Sequence, residues 1–366
     1  MSKLDELLKG IDVEWKTLGE VCEIIRGVRV TKKDLIENGK YPVVSGGTGY
    51  MGFVNEYNRE ENSITIAQYG TAGFVKWQNE KFWANDVAFT IYPINEDILL
   101  KRFLYYFLIN KQNYLYEISN KIAVPFSISK EKILQIKIPI PPIEIQQEIV
   151  RVLDELTTLT NQLTTELETE RQNRKKQFEF FREQLFRFEE GEAELKNLKD
   201  VAKISNGKDH KIFKDGSIPV YGSGGIMRYI DTSIYEDESV LIPRKGSIGN
   251  IFYVNEPFWT VDTIFYTKIN IEIIIPKYFY YFLKTKDLKE LNFAGGVPSL
   301  TKTVLDKIKI PIPPLAEQER IVKLLDQFDA THTAIEEEIT KEIKLRTQQY
   351  EYYREKLLSF PSLRTT

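Results

Sequence analysis

The apolar residues of two long segments follow a helical repeat, and the two segments are copies of each other. IPIPPIEIQQEIV at 138–150 returns as IPIPPLAEQERIV at 310–322, and FEFFREQLFRF at 178–188 returns as YEYYREKLLSF at 350–360. Both pairs are separated by the same 172 positions, from 138 to 310 and from 178 to 350. The stretch between the two landmarks therefore has one fixed length in both copies, which is typical of a tandem structural repeat.

Each copy predicts one long helix that begins after a proline-rich break. Proline lacks the amide hydrogen and fixes φ, so it suits the entry to a helix and not its interior. Apolar residues then recur at alternating spacings of three and four, which is the seam of a coiled coil. The seam positions are Ile145, Ile149, Val152, Leu156, Leu159, Leu163, Phe178, Phe181, Leu185 and Phe188 in the first copy, and Ile321, Leu324, Phe328, Ile335, Ile339, Ile343, Tyr350, Tyr353 and Leu357 in the second.

Helices of this length need a partner. About 45 residues at about 1.5 Å each would make a rod on the order of 70 Å long. Such a rod does not stand alone in water with an apolar stripe exposed. We predict that the two helices pair with each other as an antiparallel coiled coil, and membership of a larger helical bundle is the alternative interpretation.

The segments before each long helix predict short strands separated by Gly and Asn, and they also match in pairs. WKTLGEVCEIIRG at 15–27 corresponds to LKNLKDVAKISNG at 195–207, and NSITIAQYGTAG at 62–73 corresponds to ESVLIPRKGSIG at 238–249. The offset between the copies falls from 180 to 172 through these parts and is constant along the helices. Length changes are therefore confined to the loops.

Aromatic segments within these parts predict a helix packed on the strands. KRFLYYFL at 101–108 corresponds to PKYFYYFL at 276–283. The predicted fold class is α+β, with two pseudo-repeated α/β domains separated by two long antiparallel coiled-coil spacer helices. The predicted boundaries are 1–142 and 191–314 for the two domains, and 143–190 and 315–366 for the two helices.

Size and composition bound the kind of protein. The 366 residues suit two domains, and 42% hydrophobic and 12% aromatic residues supply ordinary cores. The single Cys22 leaves no internal disulfide and fits a reducing cytoplasm, which is the expected location. We expect neither a signal peptide nor a membrane span, because no apolar run is long enough. With a net charge of −3, a nucleic-acid surface would be local or completed by another subunit.

Motifs that carry catalysis are missing. The string Gly47-Thr48-Gly49-Tyr50-Met51-Gly52 matches the dinucleotide pattern GxGxxG, but the FVNEYN after it is a poor helix former, so we interpret it as a tight turn. We find no GxxxxGK[ST] loop and no GxSxG elbow. With one Cys and two His far apart, at His210 and His332, we expect no zinc site. We therefore predict no catalytic residue and no metal ligand.

The loops of the two β-rich parts differ in chemistry at matched positions. Gln68-Tyr69 before one Gly turn becomes Arg244-Lys245 before the other. In the major groove, Arg pairs with guanine O6 and N7 and Gln pairs with adenine N6 and N7, while nearby basic side chains hold phosphates. A solvated surface charge is the alternative at each position. The predicted DNA-binding residues are Arg26, Arg29, Lys32, Lys33, Gln68, Tyr69, Thr71 and Lys130 in the first copy, and Lys208, His210, Lys211, Arg244, Lys245, Ser247 and Lys302 in the second.

Together these features resemble the specificity subunits of type I restriction–modification systems over essentially the whole chain. The motifs that carry the resemblance are WKTLGEV, IPIPP-x-x-x-Q-x-x-IV at each helix entry, and FEFFREQLFRF with YEYYREKLLSF at the helix ends. Two motifs in duplicate at a constant offset are far more specific than a single short pattern. The copies differ by one residue in a loop, Pro125-Phe126-Ser127 against Pro298-Ser299.

The resemblance implies that each α/β domain is a target-recognition domain that reads one half of a bipartite, asymmetric site in double-stranded DNA. The paired helices would fix the unread gap and dock two modification subunits, which carry S-adenosylmethionine and methylate adenine. Two restriction subunits, which use ATP and Mg, would join through them. This chain would bind no cofactor and catalyse nothing. The predicted subunit-interface residues are Phe178, Phe181, Leu185, Tyr350, Tyr353 and Leu357.

Two other classes of protein stay open. A coiled-coil scaffold without DNA reading would show no sequence-dependent binding in any assembly. A stand-alone methyltransferase or nuclease is the other class, and the missing cofactor and metal motifs argue against it. A specificity subunit of a modification-only or phase-variable system is a nearer variant, because the 172-residue repeat would favour recombination between the copies.

Overall fold

The computed structural model describes residues 9–11, 13–291 and 299–360. The chain divides into two compact units, one formed by Met1–Glu166 with Glu342–Thr366 and the other by Leu167–Lys341. Each unit therefore combines one β-rich domain with parts of both long helices.

The first unit contains a domain of strands and short helices. Within the described residues, β2, β8, β5 and β6 form an antiparallel sheet in that order, and β3 pairs with β4 antiparallel and with β7 parallel. The predicted aromatic helix, α2, is present, and its Phe103, Leu104 and Phe107 are buried in the core with Ile64 and Ile66 of β5. The elements are β1 (Glu14–Thr17), α1 (Leu18–Val21), β2 (Cys22–Arg26), β3 (Tyr41–Val44), β4 (Tyr50–Val54), β5 (Ser63–Ala67), β6 (Val75–Gln78), β7 (Trp83–Ala84), β8 (Ala88–Pro93), α2 (Lys101–Asn110), α3 (Gln112–Ile118), α4 (Lys130–Leu134) and β9 (Lys137–Ile140).

The second unit repeats this plan strand for strand. Within the described residues, β11, β17, β14 and β15 form the antiparallel sheet, and β12 pairs with β13 antiparallel and with β16 parallel. Helix α7 buries Tyr278, Phe279 and Phe282 in the core, as α2 does in the first unit. The elements are β10 (Glu194–Asn197), α6 (Leu198–Val201), β11 (Ala202–Asn206), β12 (Ile218–Gly222), β13 (Gly225–Ile230), β14 (Ser239–Pro243), β15 (Phe252–Val254), β16 (Trp259–Thr260), β17 (Ile264–Ile269), α7 (Pro276–Lys284), α8 (Lys302–Leu305) and β18 (Lys309–Ile312).

A two-stranded ladder joins the start of each domain to its end. Trp15 pairs with Pro139 in the β1–β9 ladder, and Leu195 pairs with Pro311 in the β10–β18 ladder. The WKT and IPIPP motifs are therefore partners in space, which the sequence did not reveal. The first two residues of each proline-rich segment are strand rather than break, and the helix follows two residues after the strand.

The two long helices are α5 (Ile143–Gln184) and α9 (Leu315–Leu357), of 42 and 43 residues. Both begin directly after the last of the three prolines in the proline-rich segment, as predicted. The predicted ends were residues 190 and 366, and both helices end earlier, at Gln184 and Leu357, because the chain there turns into a core. Residues 361–366 of the second predicted helix lie outside the described residues. Phe186 is buried in the second unit, and Leu358 and Phe360 are buried in the first. None of the described helices combines the length and the apolar character needed to cross a membrane.

The first turns of each long helix pack on the β-rich domain of its own unit. Ile149 and Leu153 of α5 are fully buried in the first core, and Ile321 and Leu325 of α9 are fully buried in the second. The predicted seam included Ile149 and Ile321, which are fully buried, but it did not include the fully buried Leu153 and Leu325. It named the less buried Val152 and Leu324 next to them. Leu159, another predicted seam residue, is exposed. The apolar stripe first faces the domain and only later the other helix, so one continuous seam does not describe it.

Within each unit the two helices run antiparallel. In the second unit, the Arg171 guanidinium lies 3.1 Å from Glu336, whereas Phe181 stacks on Phe328 at 6.2 Å between ring centroids. As one helix advances, its partner position therefore moves backwards. In the first unit, the Thr157 hydroxyl donates to the Tyr350 hydroxyl at 3.2 Å. These contacts confirm the predicted pairing.

A buried glutamine fixes the entry angle of each long helix. The Gln146 side chain accepts a hydrogen bond from the Leu100 amide at 2.9 Å and donates to the carbonyls of Ile98 and Pro141. Gln318 repeats the set with Ile275, Ile273 and Pro313. Both side chains are fully buried. This is why the helix-entry motif contains Gln, since no apolar side chain would satisfy three buried main-chain groups.

Eight residues further on, about two helical turns, a carboxylate ties each long helix to the aromatic helix of its domain. Asp326 accepts from the Tyr281 hydroxyl and pairs with the Lys277 ammonium, both at 2.7 Å. Burial and the hydrogen bond to Asp326 raise the pKa of Tyr281. Asp154 makes the same contacts in the first unit, with Tyr106 and Arg102.

Candidate nucleic-acid interface

The turn that follows β5 carries the first predicted base-reading residue. The Gln68 amide donates to Val87 O, and Gln68 O accepts from the Ile128 amide, both at 2.9 Å. Gly70 has a φ of +78° and donates to Phe126 O at 3.0 Å. Neighbouring segments therefore hold the turn from both sides and present Gln68, Tyr69 and Thr71 at the end of the sheet.

The turn after β14 repeats this frame around different side chains. The Arg244 amide donates to Thr263 O at 3.0 Å, and Arg244 O accepts from the Leu300 amide at 2.8 Å. Gly246 has a φ of +72°, matching Gly70. Lys245 and Ser247 on either side of it are exposed.

An aromatic ring holds the Arg244 side chain in position. The Arg244 guanidinium lies 5.0 Å above the Phe265 ring, which stabilises it by cation–π attraction and limits its rotamers. Its Nε is buried, and so is Oε1 of Gln68. Neither atom has a hydrogen-bond partner among the described residues. A buried polar atom without a partner is unfavourable by about 1–3 kcal/mol.

The glycine loop that resembled a dinucleotide motif is a hairpin beside this turn. Strand β4 begins within it, at Tyr50, where a dinucleotide site would begin a helix, so the tight-turn interpretation is confirmed. Thr71 N donates to Gly46 O at 2.9 Å. A Cβ on Gly46 would lie 2.2 Å from Tyr69 O, so only glycine allows the two loops to approach this closely. In the second unit, Asn250 Nδ2 donates to Ser223 O at 3.4 Å across the corresponding gap.

A basic loop follows β2 and lies beside the same end of the sheet. Arg26 Nε donates to Asp86 O at 2.7 Å. The Asn85 side chain clamps Val30, accepting from its amide at 3.0 Å and donating to its carbonyl at 3.1 Å. The Gln68 amide donates to Val87 O, so the segment around Asn85 connects the basic loop to the turn that carries Gln68.

Within this loop, Arg29, Lys32 and Lys33 have exposed side chains. They make no ion pair within the described residues, so they are free to meet phosphates. The structure therefore brings together most of the first group of predicted DNA-binding residues.

The corresponding basic loop of the second unit borders an open cleft. Lys208 and Lys211 are exposed, and Lys208 O accepts from the Trp259 indole at 3.0 Å. His210 lies deeper, with Nδ1 buried and without a partner in the described part of the chain. The cleft measures about 740 Å³ and is lined by His210 and Lys211, the glycine hairpin between β12 and β13, and Thr263.

Two predicted DNA-binding lysines differ in their surroundings. Lys130 Nζ donates to Ile24 O at 2.8 Å. Lys302 Nζ lies 5.8 Å above the Phe265 ring, next to Arg244. For Lys130 the geometry favours the structural role, while Lys302 adds positive charge beside Arg244.

The predicted subunit-interface residues divide into two groups. Leu357 is fully buried in the first core and Leu185 packs against the second, so neither forms an exposed face. Phe181 is 44% exposed. It lines an apolar groove with Phe178, Phe328 and His332. Tyr350 and Tyr353 are half-buried.

Sequence reasoning missed several residues that build these sites. Asn85 escaped notice because the second unit has Val261 at the matched position. Trp83 and Trp259 occupy matched positions, and their indoles anchor the basic loops on Val28 O and Lys208 O. Paired tryptophans beside a variable loop were the available signal.

The chain contains two copies of one α/β framework and a pair of long helices. Equivalent loops of the two copies carry different side chains, which is the arrangement of a duplicated recognition protein. The model of the type I restriction modification DNA specificity domain matches residues 11–170 and 190–345. The chain belongs to this family of type I restriction–modification specificity subunits. The family resemblance inferred from the motifs is therefore confirmed.

Individual relatives align along the whole chain. A type I restriction enzyme specificity subunit of Haemophilus influenzae is 33% identical, with 98% of each chain covered. The EcoR124I/EcoR124II specificity subunit of Escherichia coli is 32% identical over 100% of this chain and 98% of its own.

Solved structures share the fold. A chain from a study of type I restriction–modification complex assembly has a TM-score of 0.75 at 16% identity, covering 96% of this chain and 98% of its own. The HsdS subunit of Thermoanaerobacter tengcongensis has a TM-score of 0.53 at 16% identity, covering 96% and 97%. The predicted α+β fold class with two long helices is confirmed.

Proposed function

We propose that this chain selects the DNA target of a type I restriction–modification complex, and that each unit reads one half of a bipartite, asymmetric site. The observation that carries the proposal is the matched pair of turns after β5 and β14. The two turns have the same main-chain frame, and one presents Gln68 where the other presents Arg244. Two equivalent frames with different hydrogen-bonding side chains suit two different half-sites.

The chemistry of the two side chains assigns a base class to each turn. Arg244 forms a bidentate pair with guanine O6 and N7, and Gln68 forms a bidentate pair with adenine N6 and N7. The exposed Arg29, Lys32 and Lys33 bind phosphates of the first half-site and set its register. Lys208 and Lys211 do the same for the second.

The long helices set the gap and dock the other subunits. A spacer of fixed length suits half-sites about one helical turn of DNA apart, near 34–36 Å. Two modification subunits bind the helices, carry S-adenosylmethionine and methylate adenine. Two restriction subunits, which use ATP and Mg, join through them. In this proposal the chain itself is not a catalyst and binds none of these cofactors. A relative's structure comes from work on complex assembly in a type I system, which supports such partners.

Mapping of methylated adenines tests the proposal. The chain is co-expressed with a modification subunit of the same system, and the host genome is read by single-molecule sequencing. We expect methylation at one asymmetric, bipartite motif with a fixed unread gap. A stable complex that methylates without sequence preference, or does not methylate, would contradict DNA reading and support a coiled-coil scaffold. Failure of any complex to form would contradict the docking role.

A further inference from the structure

The hairpin 120–127 of the first unit ends in an apolar tip, formed by Ile122, Val124 and Phe126. Ile122 is 94% exposed and Val124 is 95% exposed. Single exposed apolar residues are ordinary, whereas neighbouring ones that project from one loop mark an interaction surface.

Hydrogen bonds hold the apolar tip in this exposed position. Asn120 and Ser127 exchange main-chain hydrogen bonds of 2.6 and 3.2 Å. The Asn120 side chain accepts from the amides of Ile122 at 3.0 Å and Ala123 at 3.4 Å. The tip is therefore a preorganised turn, and ordering it on binding costs little.

The apolar tip shares its framework with the reading turn. Phe126 O accepts from the Gly70 amide at 3.0 Å, and Ser127 bridges to Tyr69. Gln68 O accepts from Ile128, directly after the hairpin. The apolar tip and the turn that carries Gln68 are therefore neighbours at the same end of the sheet. Lys121, exposed beside Ile122, adds the positive charge that a nucleic-acid surface favours.

We propose that the apolar tip enters the major groove beside Gln68 and packs Ile122 and Val124 against the C5 methyl groups of thymines in or next to the first half-site. This rests on the proposed function of the first unit. The thymine methyl offers no hydrogen bond in the major groove, and proteins recognise it by apolar contact. Two branched aliphatic side chains on a rigid turn supply that contact.

The proposal concerns the first unit. The loop that corresponds to the apolar tip falls in residues 292–298, which lie outside the described residues. The first copy of this loop is also one residue longer, Pro125-Phe126-Ser127 against Pro298-Ser299.

A thymine-to-uracil scan tests the contact, because uracil lacks only the methyl group. The complex of this chain with its modification subunits is bound to its mapped site, with each thymine of the first half-site and the adjoining gap replaced in turn on both strands. Binding should weaken about fourfold at one or two positions, the factor that corresponds to burying one methyl group. The double variant Ile122→Ser/Val124→Ser should lose affinity for the thymine site and should no longer respond to uracil.

The matched control is Ile94→Ser. Ile94 is 65% exposed, and its amide bonds to Val21 at the end of the sheet away from Gln68. This variant should keep the uracil response of the wild type.

If uracil is neutral at every position while the wild-type complex still binds its site specifically, the methyl contact is refuted and the proposed function stands. If the double variant instead loses its modification subunits, the tip contacts protein and the proposal also fails. If the wild-type complex binds no specific site, the proposed function itself fails.

Discussion

The two units differ where they could touch a ligand and agree where they build the fold. Gln146 and Gln318 make the same three hydrogen bonds, and Asp154 and Asp326 tie down equivalent helices. At the end of the sheet the agreement stops, because Arg244 stands at the position of Gln68. The two copies thus share a framework and differ at the candidate reading surface.

The basic loops extend the difference from side chains to main chain. In the first unit, Asn85 clamps Val30 from both sides. In the second, Val261 occupies the matched position and the Phe213 ring packs on Trp259 at 4.5 Å. Loops held in different ways approach the DNA backbone differently, so we expect the two half-sites to differ in register as well as in bases.

The largest effect is expected from a change in helix length, since both copies keep one length between their landmarks. Four residues added after Leu163 would shift the rest of α5 by about 6 Å and rotate it by about 40°. We expect specific methylation to disappear or the gap in the methylated motif to change. Four Gly/Ser residues after Gly191, in an exposed turn, are the control and should leave the motif unchanged. An unchanged gap in the α5 variant would refute the spacer role.

The framework glutamines should be equivalent in the two units. Gln146→Leu or Gln318→Leu leaves buried main-chain groups unpaired, and each should destabilise its own unit by about 3 kcal/mol. The neighbouring exposed Gln147→Leu is the control. Thermal unfolding monitored by circular dichroism measures the loss.

Cys22 reports which unit has opened. Burial raises its pKa to about 12, so the thiol stays protonated and unreactive at neutral pH while the first unit is folded. Gln146→Leu should speed the labelling of Cys22 by a thiol reagent about a hundredfold. Gln318→Leu should not, because the second unit has Ala202 at the matched position. Equal acceleration by both variants would show that the units open together.

A substitution in the apolar groove that contains Phe181 tests whether the modification subunits dock there. Phe181→Asp places a charge at a stacked, partly exposed ring, and should weaken binding of the modification subunits at least about tenfold, as aromatic anchors do. Ile271→Asp, at an exposed residue of the β-rich domain, should bind normally. Thermal unfolding of the free variant separates lost docking from unpaired helices. Normal assembly of a folded Phe181→Asp variant would place docking elsewhere.

The smallest effect is expected when single basic residues are replaced. The salt dependence of DNA binding should distinguish a residue that contacts phosphate from a lysine with a structural role. Arg29→Ala should weaken binding a few-fold on every sequence and lower the salt slope by about 1. Lys130→Ala should leave the salt slope unchanged, because its ammonium is bound to Ile24 O. Binding titrations at several salt concentrations make the comparison. An equal change for both variants would contradict the assignment.

The repeat made the architecture predictable, while the contacts between distant segments were not. The constant 172-residue offset and the three-four spacing gave both long helices and their starts. The ladder that pairs Trp15 with Pro139 was missed, because a proline-rich segment argues against a strand unless it lies at an edge. The burial of Leu153 in place of Val152 was also missed, because periodicity alone does not say which neighbour a helix faces.

The candidate interface was predictable in position but not in the role of each residue. A glycine turn after a strand marked Gln68 and Arg244 correctly as residues at the sheet end. The sequence held no sign that Lys130 is bound to a carbonyl, or that Phe265 supports Arg244, since both depend on contacts across the sheet.

The most direct test of the central claim is the methylome of two single variants, Gln68→Ala and Arg244→Ala, each in the full complex. Loss of a bidentate pair removes about 1–3 kcal/mol of discrimination at one base pair. We expect Gln68→Ala to relax the motif at one A·T pair of one half-site, and Arg244→Ala to relax it at one G·C pair of the other. Relaxation in the same half-site, or a uniform loss on all DNA, would contradict the claim that the two turns read different bases.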